Sequence, residues 1–373
     1  MKRILMLLSL VASLSMADSG PLGLVLSGGG AKGAYEVGVW EAMTEAGLTN
    51  RIAAISGTSV GSINAALFAA VGDSRTCATL WKNEIGKAFR FNTNLVAKVF
   101  GEDGRNKVEK VYARMRENVE KDKKSAARKR GCAVSELPPE VVSDIEEECA
   151  TVAQNRLIIE LPKWKAFSNM LEDFDETESL DGFLSSEILH SLVVRTIPNS
   201  FPESAPAVYA TALRKKRQGV SFSAVRFSLA GESPDRRASI ICASTCIPFV
   251  FGSYGIDGET YIDGGFEKHG GDNVPLEPIL ENHPEIKTVI IVYLDDAKHL
   301  NKKRFDKNRS TAAAAGVRLV EIVPSENIGR GFDGWQGVFD ASPETAKHLI
   351  ELGRKDARKK LREAGLTETH LDN

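Results

Sequence analysis

Apolar residues along this chain fall into short runs that alternate with helically spaced stretches. Leu22 to Leu26 is a continuous apolar run, and Ala34 to Ala46 has its apolar positions at helical spacing. Ile52 to Ile55 and Ser62 to Val71 repeat that order. Each pair reads as a strand handing over to a helix through a glycine-rich turn. Further on, Leu180 to Val194 is spaced as a core helix. Pro206 to Leu213 and Val220 to Leu229 read as a hairpin around the basic turn Arg214 to Gly219. Ser239 to Cys246 is a small-residue helix that leads, past Ile247-Pro248, to a short strand ending in Asp263. Thr288 to Leu294 is apolar throughout, as in a central strand covered on both faces, and Gly316 to Val323 looks like another. A last helix is expected over Pro343 to Glu363. Strands alternating with helices predict an α/β protein, a three-layer α/β/α sandwich around a mostly parallel central sheet.

Two stretches depart from that pattern. Met1-Lys2-Arg3 followed by an apolar run to Met16 and then Ala17 has the parts of a secretory signal peptide over 1–17. It predicts an exported, periplasmic or secreted protein, with a domain spanning 18–373. An uncleaved leader that anchors the chain to the membrane is the alternative; the run is short for a bilayer span. The second departure, 102–155, is highly charged, basic around Lys121 to Arg130 and acidic from Glu136 to Glu148. It reads as a solvated helical insert, or as an element that meets anionic lipid heads. Trp81 to Phe100 before it is expected to form a helix and its exit loop.

Composition narrows the class. The 373 residues are 42% apolar, ample for a core, and carry a formal charge of −2, which argues against a dedicated nucleic-acid binder. Of five cysteines, Cys77, Cys242 and Cys246 sit among apolar or small neighbours and read as buried thiols, not metal ligands. Cys132 and Cys149 flank a Pro-Pro stretch and could pair outside the cytoplasm.

The two glycine turns are where chemistry is expected. Gly57-Thr58-Ser59-Val60-Gly61 fits G-x-S-x-G, in which a tight strand-to-helix bend projects the serine hydroxyl above the sheet. The same residues are open to a plainer use, with Ser59 capping the helix. Gly28-Gly29-Gly30-Ala31-Lys32-Gly33 fits G-x-G-x-x-G, yet the second strand ends Ala53-Ala54-Ile55-Ser56 without the carboxylate a dinucleotide ribose requires. Ala34 after Gly33 rules out a Walker A loop. What remains is an oxyanion loop of free N–H groups at Gly28, Gly29 and Gly30 with Lys32 adding positive charge, or a tightly packed helix entrance. A serine nucleophile needs a base. None of the six histidines lies in an obvious strand-end turn, His269 coming closest. Asp263, ending Tyr261-Ile262-Asp263-Gly264-Gly265, can serve if burial raises its pKa; Asp-Gly is also an ordinary hairpin turn.

Taken in order, Gly-Gly-Gly-x-Lys-Gly, Gly-x-Ser-x-Gly and Asp-Gly-Gly resemble the patatin-like phospholipase family. The likeness extends to Ala243-Ser244-Thr245-Cys246-Ile247-Pro248-Phe249, to Asn273-Val274-Pro275-Leu276, and to Phe339 through Glu344 with Leu349 through Gly353, which look like the family's closing helix. It implies the patatin fold and hydrolysis of lipid acyl esters by a catalytic dyad, Ser59 as nucleophile and Asp263 as general base. The family's oxyanion loop falls on Gly28, Gly29 and Gly30. Many members have arginine where this chain has Lys32, which keeps the charge and loses bidentate geometry. The implied partners are a phospholipid or other acyl lipid and, peripherally, a membrane surface, and the implied mechanism requires no metal or organic cofactor. Two other classes stay open: an exported lipid-binding or interaction protein without catalysis, and a nucleotide-binding protein.

Overall fold

A computed structural model of the chain describes residues 20–83, 93–142, 144–146, 149, 153, 186–198, 200–216, 221–248, 250–329, 337–338 and 343–367. The leader, a few residues at the acidic end of the charged insert, Leu180 to Ser185 of the expected core helix, Phe339 to Ser342, the tip of the basic hairpin and His370 lie outside them. The described strands are β1 (Leu22–Leu26), β2 (Ile52–Thr58), β3 (Ala207–Lys215), β4 (Phe222–Ser228), β5 (Tyr254–Ile256), β6 (Glu259–Asp263), β7 (Thr288–Val292) and β8 (Arg318–Ile322). Helices α1 (Ala34–Glu45), α2 (Val60–Val71), α3 (Ser74–Asn83), α4 (Thr93–Arg130), α5 (Ser186–Thr196), α6 (Pro234–Thr245), α7 (Glu277–Asn282), α8 (Lys302–Ala314) and α9 (Pro343–Glu363) complete it. Among the described residues no helix is long and apolar enough to cross a membrane.

Strand β1 sits in the middle of the sheet, between β2 and β7, and β2 to β3 and β7 to β8 extend it on either side, all in parallel. Period-two alternation sorts its side chains between two cores. Leu22, Leu24 and Leu26 of β1 face a layer formed by α1, α2, α3, α5, α6 and α9. Val25, with Val289 and Ile291 of β7, faces α7 and α8 through Ile279 and Ala312. Helices on both faces give the expected α/β/α sandwich. On one face α9 lies along α1, where Tyr35 Oη donates to Asp356 Oδ2 at 3.1 Å and Arg358 grips Glu45.

The antiparallel part of the sheet sets the geometry of everything that follows. β4 occupies one edge of β3 from Tyr209 to Lys215, as the predicted hairpin requires. Both β2 and β6 must therefore share the opposite edge, end to end. Thr58, the last residue of β2, faces Thr211; Asp263, the last residue of β6, faces the next residue, Ala212. β2 and β6 thus point at each other along a single ruler strand, one residue step apart, about 3.3 Å.

Three expectations change. Helix α6 begins at Pro234, not Ser239, because Ser233 caps it, its Oγ accepting from Arg236 N at 3.2 Å with proline in the first turn. Helix α4 already runs from Thr93, where an exit loop was expected to reach Phe100. Cys132 and Cys149 are not joined: Cys132 Sγ donates to Ala127 O at 3.8 Å and Cys149 Sγ to Asp122 Oδ2 at 3.7 Å.

Candidate active site

Ser59 lies between β2 and α2 with φ 55° and ψ −127°, a conformation L side chains rarely adopt. The flanking glycines make the bend possible by close approach. A Cβ on Gly57 would come within 2.2 Å of Gly61 O, and one on Gly61 within 2.4 Å of Leu26 O on β1. The strain is held by backbone and hydroxyl partners. Ser59 N donates to Ser244 Oγ at 2.9 Å, and Ser244 Oγ in turn donates to Thr211 O at 2.6 Å. Ser59 O accepts from Ser62 N at 2.8 Å and from Ser62 Oγ at 2.6 Å. The bend is therefore anchored at its N–H and its carbonyl, which leaves the hydroxyl for other use; the cap reading fails, since no side-chain cap bond forms.

Asp263 arrives from the opposite direction along β3. Its N–H donates to Cys246 O at 2.8 Å, and its Oδ1 accepts from Gly265 N at 2.7 Å. The other oxygen, Oδ2, is buried without a hydrogen bond of ordinary geometry. Burial pushes the carboxyl up to about 6, with the Ser59 hydroxyl and the Gly265 amide pulling the other way. The Ser59 hydroxyl is thus close enough to favour the carboxylate, although no hydrogen bond of ordinary geometry joins them. The two side chains line one cavity of about 400 Å³ with Gly28, Gly29, Gly30, Lys32 and Asn273; Ile247, Phe266 and Val338 supply apolar wall.

The glycine bend after β1 divides the three expected donors. Gly28 N donates to Asn273 O at 3.1 Å, so its amide is already engaged. The Gly29 and Gly30 amides have no acceptor among the described residues, and they stand at the start of the 3₁₀ turn Gly30–Gly33 that leads into α1. The ammonium of Lys32 is also engaged: Nζ lies 2.8 Å from Asp295 Oδ1, a largely buried side chain pairing with a part-exposed one. Lys32 thus lines the cavity with its charge paired to Asp295.

His269 is not part of this group. Its ring packs edge-on against Phe222 and Phe266, with centroids 5.8 and 6.5 Å away. The other described histidines have partners of their own: His190 with Asp235, His283 with Tyr209 and Glu285, His299 with Asp296, His348 with Glu326.

Several supporting residues carry no mark in a motif search. Glu36 is completely buried beneath the glycine bend, and Asn64 Nδ2 donates both to its Oε2 at 2.7 Å and to Gly33 O at 3.0 Å. Trp81 Nε1 donates to Asn64 Oδ1 at 2.7 Å. Burial lifts the Glu36 carboxyl well above its ordinary range, against the pull of Asn64 and the Ser27 amide. A lone acid in an otherwise apolar helix start, four residues before Trp40, was the available signal. Arg304 of α8 fixes the loop after Asp263, donating to Glu267 Oε1 at 2.8 Å, Asp272 Oδ1 at 2.7 Å and Gly271 O at 3.0 Å. Ser244 was visible as part of a family-like run, without a role. Replacing it with alanine strips buried Ser59 N–H and Thr211 C=O of their partner. The expected loss is about 1–3 kcal/mol in urea unfolding. An unchanged midpoint would mean the elbow does not lean on that hydroxyl.

The fold is a three-layer α/β/α sandwich with a serine elbow and a glycine bend at the carboxyl ends of two central strands. A family model described as patatin-like phospholipase matches residues 24–280, and the chain belongs to that family. That family is named for phospholipase activity. No curated protein sequence matches the chain. Among solved structures it is similar to VipD from Legionella pneumophila, at 17% identity and TM-score 0.39, covering 92% of this chain and 67% of that one. ExoU from the type III secretion system of Pseudomonas aeruginosa, in complex with SpcU, matches at 17% identity and TM-score 0.39 over 94% of this chain and 54% of its own. Human GIVD cytosolic phospholipase A2 matches at 10% identity and TM-score 0.44, over 93% and 59% respectively. The chain spans between about half and two thirds of these proteins' lengths.

Proposed function

We propose that this protein is a serine acyl hydrolase that cleaves fatty-acyl ester bonds of phospholipids or related acyl lipids through an acyl-enzyme. Ser59 is the nucleophile and Asp263 the general base, with the Gly29 and Gly30 amides holding the oxyanion. Asp263 takes the hydroxyl proton as Ser59 Oγ bonds to the ester carbonyl carbon, and the carbonyl oxygen becomes negative. Collapse expels the alcohol, which leaves with the proton from Asp263. Water then attacks the acyl-serine, giving a proton to the same carboxylate, and the second collapse returns it to Ser59 and frees the fatty acid. A base pushed up to about 6 suits this cycle: it is ionised at neutral pH and still a better proton acceptor than an exposed aspartate.

The observation that supports this most is the meeting of β2 and β6 on one edge of β3, with Thr58 opposite Thr211 and Asp263 opposite Ala212. A fluorophosphonate that phosphonylates activated serines tests it. Labelling is expected at Ser59, mapped by peptide mass, at a rate that falls as pH drops below about 6 and Asp263 takes up its proton. Absence of labelling at Ser59 would favour a lipid-binding protein without catalysis. Labelling whose rate is flat down to pH 4 would remove Asp263 as the base.

A further inference from the structure

We propose that Asn273 is a positioning residue that aims the oxyanion amides: by holding the Gly28 carbonyl it turns the Gly29 N–H into the cavity. This rests on the hydrolase function proposed above. Asn273 meets Gly28 at two points, its carbonyl accepting from Gly28 N at 3.1 Å and its Nδ2 donating to Gly28 O at 3.3 Å. The peptide joining Gly28 to Gly29 is planar and trans, so its C=O and N–H point in opposite directions. With the carbonyl fixed on Asn273, the Gly29 amide faces away from it, and no described residue accepts from that amide. A run of three glycines would otherwise reorient its peptides freely. Donors that must reorganise during the reaction lose most of their value, whereas donors fixed beforehand keep it.

Asn273 is itself fixed to the rest of the machinery. The preceding residue, Asp272, donates its N–H to Gly264 O at 2.8 Å and accepts at its carbonyl from Thr58 Oγ1 at 2.6 Å. Arg304 holds Asp272 Oδ1 at 2.7 Å. The nucleophile's strand, the base's turn and the oxyanion bend therefore converge on a two-residue segment. Space is tight as well as bonded. A Cβ on Gly28 would lie 2.2 Å from Asn273 Oδ1, and one on Gly265 would lie 2.7 Å from it. These contacts explain why glycine stands on both sides of Asn273, at positions far apart in sequence.

The test compares wild type with Asn273→Ala and Asn273→Asp, using two ketones carrying the same acyl chain. A trifluoromethyl ketone adds the serine hydroxyl and becomes a hemiketal oxyanion; the methyl ketone stays trigonal and uncharged. Both variants are expected to lose about 10²-fold in kcat on a soluble acyl ester, with KM little changed, and about as much in trifluoromethyl ketone affinity. Methyl ketone affinity should stay within about threefold of wild type, as expected when only charge-dependent stabilisation is removed. The aspartate keeps the shape and exchanges the Nδ2 donor for a charged oxygen, so it guards against a folding defect of the alanine, while the uncharged alanine guards against that charge acting on the oxyanion directly. Aspartate with wild-type trifluoromethyl ketone affinity overturns the proposal, as does equal weakening of both ketones in either variant. Failure of the hydrolase function itself appears separately, as wild type that is not phosphonylated at Ser59.

Discussion

Ser59→Ala is expected to lower kcat/KM on acyl esters by about 10⁴-fold or more, the loss seen when the nucleophile of a serine hydrolase is removed. The fold should survive. Ser59 anchors its bend through its N–H to Ser244 and through its carbonyl to Ser62, and alanine retains both groups and the same Cβ. The cost of the left-handed φ is common to both residues. Thermal unfolding should therefore change little, while turnover collapses to what the oxyanion amides and binding provide. Ester turnover within about tenfold of wild type, in protein of unchanged stability, would place the nucleophile elsewhere.

Asp263→Asn is expected to lose activity on a comparable scale and to gain stability at neutral and alkaline pH. The sign follows from linkage. Burial raises the native carboxyl from 3.8 to about 6, so between those values the folded state holds a proton that the unfolded state has lost. The stabilising contribution of the neutral acid is complete below about pH 4 and is lost as pH rises through 6. Above that, a buried carboxylate costs the native state roughly 3 kcal/mol, from about 1.4 kcal/mol for each pH unit between the unfolded and folded values. Asparagine keeps the shape and the bond from Gly265 without the charge. The variant should thus melt above wild type at pH 8, with the gap closing by pH 4. A variant that melts lower at pH 8 would show that ionised Asp263 is not strained, and the pH dependence of labelling would lose its basis. His269→Ala, by contrast, should leave turnover nearly unchanged, since that ring rests on Phe222 and Phe266.

The strand–turn–helix units at Gly28–Gly33 and Gly57–Gly61 were legible because their information is local: an apolar run, glycines where backbones crowd, and a helical pattern behind. The final helix was legible at both ends, from a proline at its start and apolar spacing through to Leu361. Asp263 could be nominated from its turn, but its approach to Ser59 depends on β6 pairing with β3, a contact between distant segments that no periodicity encodes. The same holds for Asn273 and Ser244, whose roles lie in which backbone groups they reach. Lys32 was seen as a charge, yet its partner Asp295 is 263 positions away, so its neutralisation was hidden. Helix α6 could have been read better, since Ser233-Pro234-Asp235 is a cap, a proline and a first-turn acid in sequence.

Because hydroxyl and carboxylate are spaced by neighbouring residues of β3, their alignment owes nothing to the length of chain that separates Thr58 from Ala207. Loops and arms can be grown, trimmed or exchanged in that interval without retuning the chemistry. A lineage built on this sheet is free to vary its outer surface, and with it what the protein meets, while Ser59 and Asp263 stay in register.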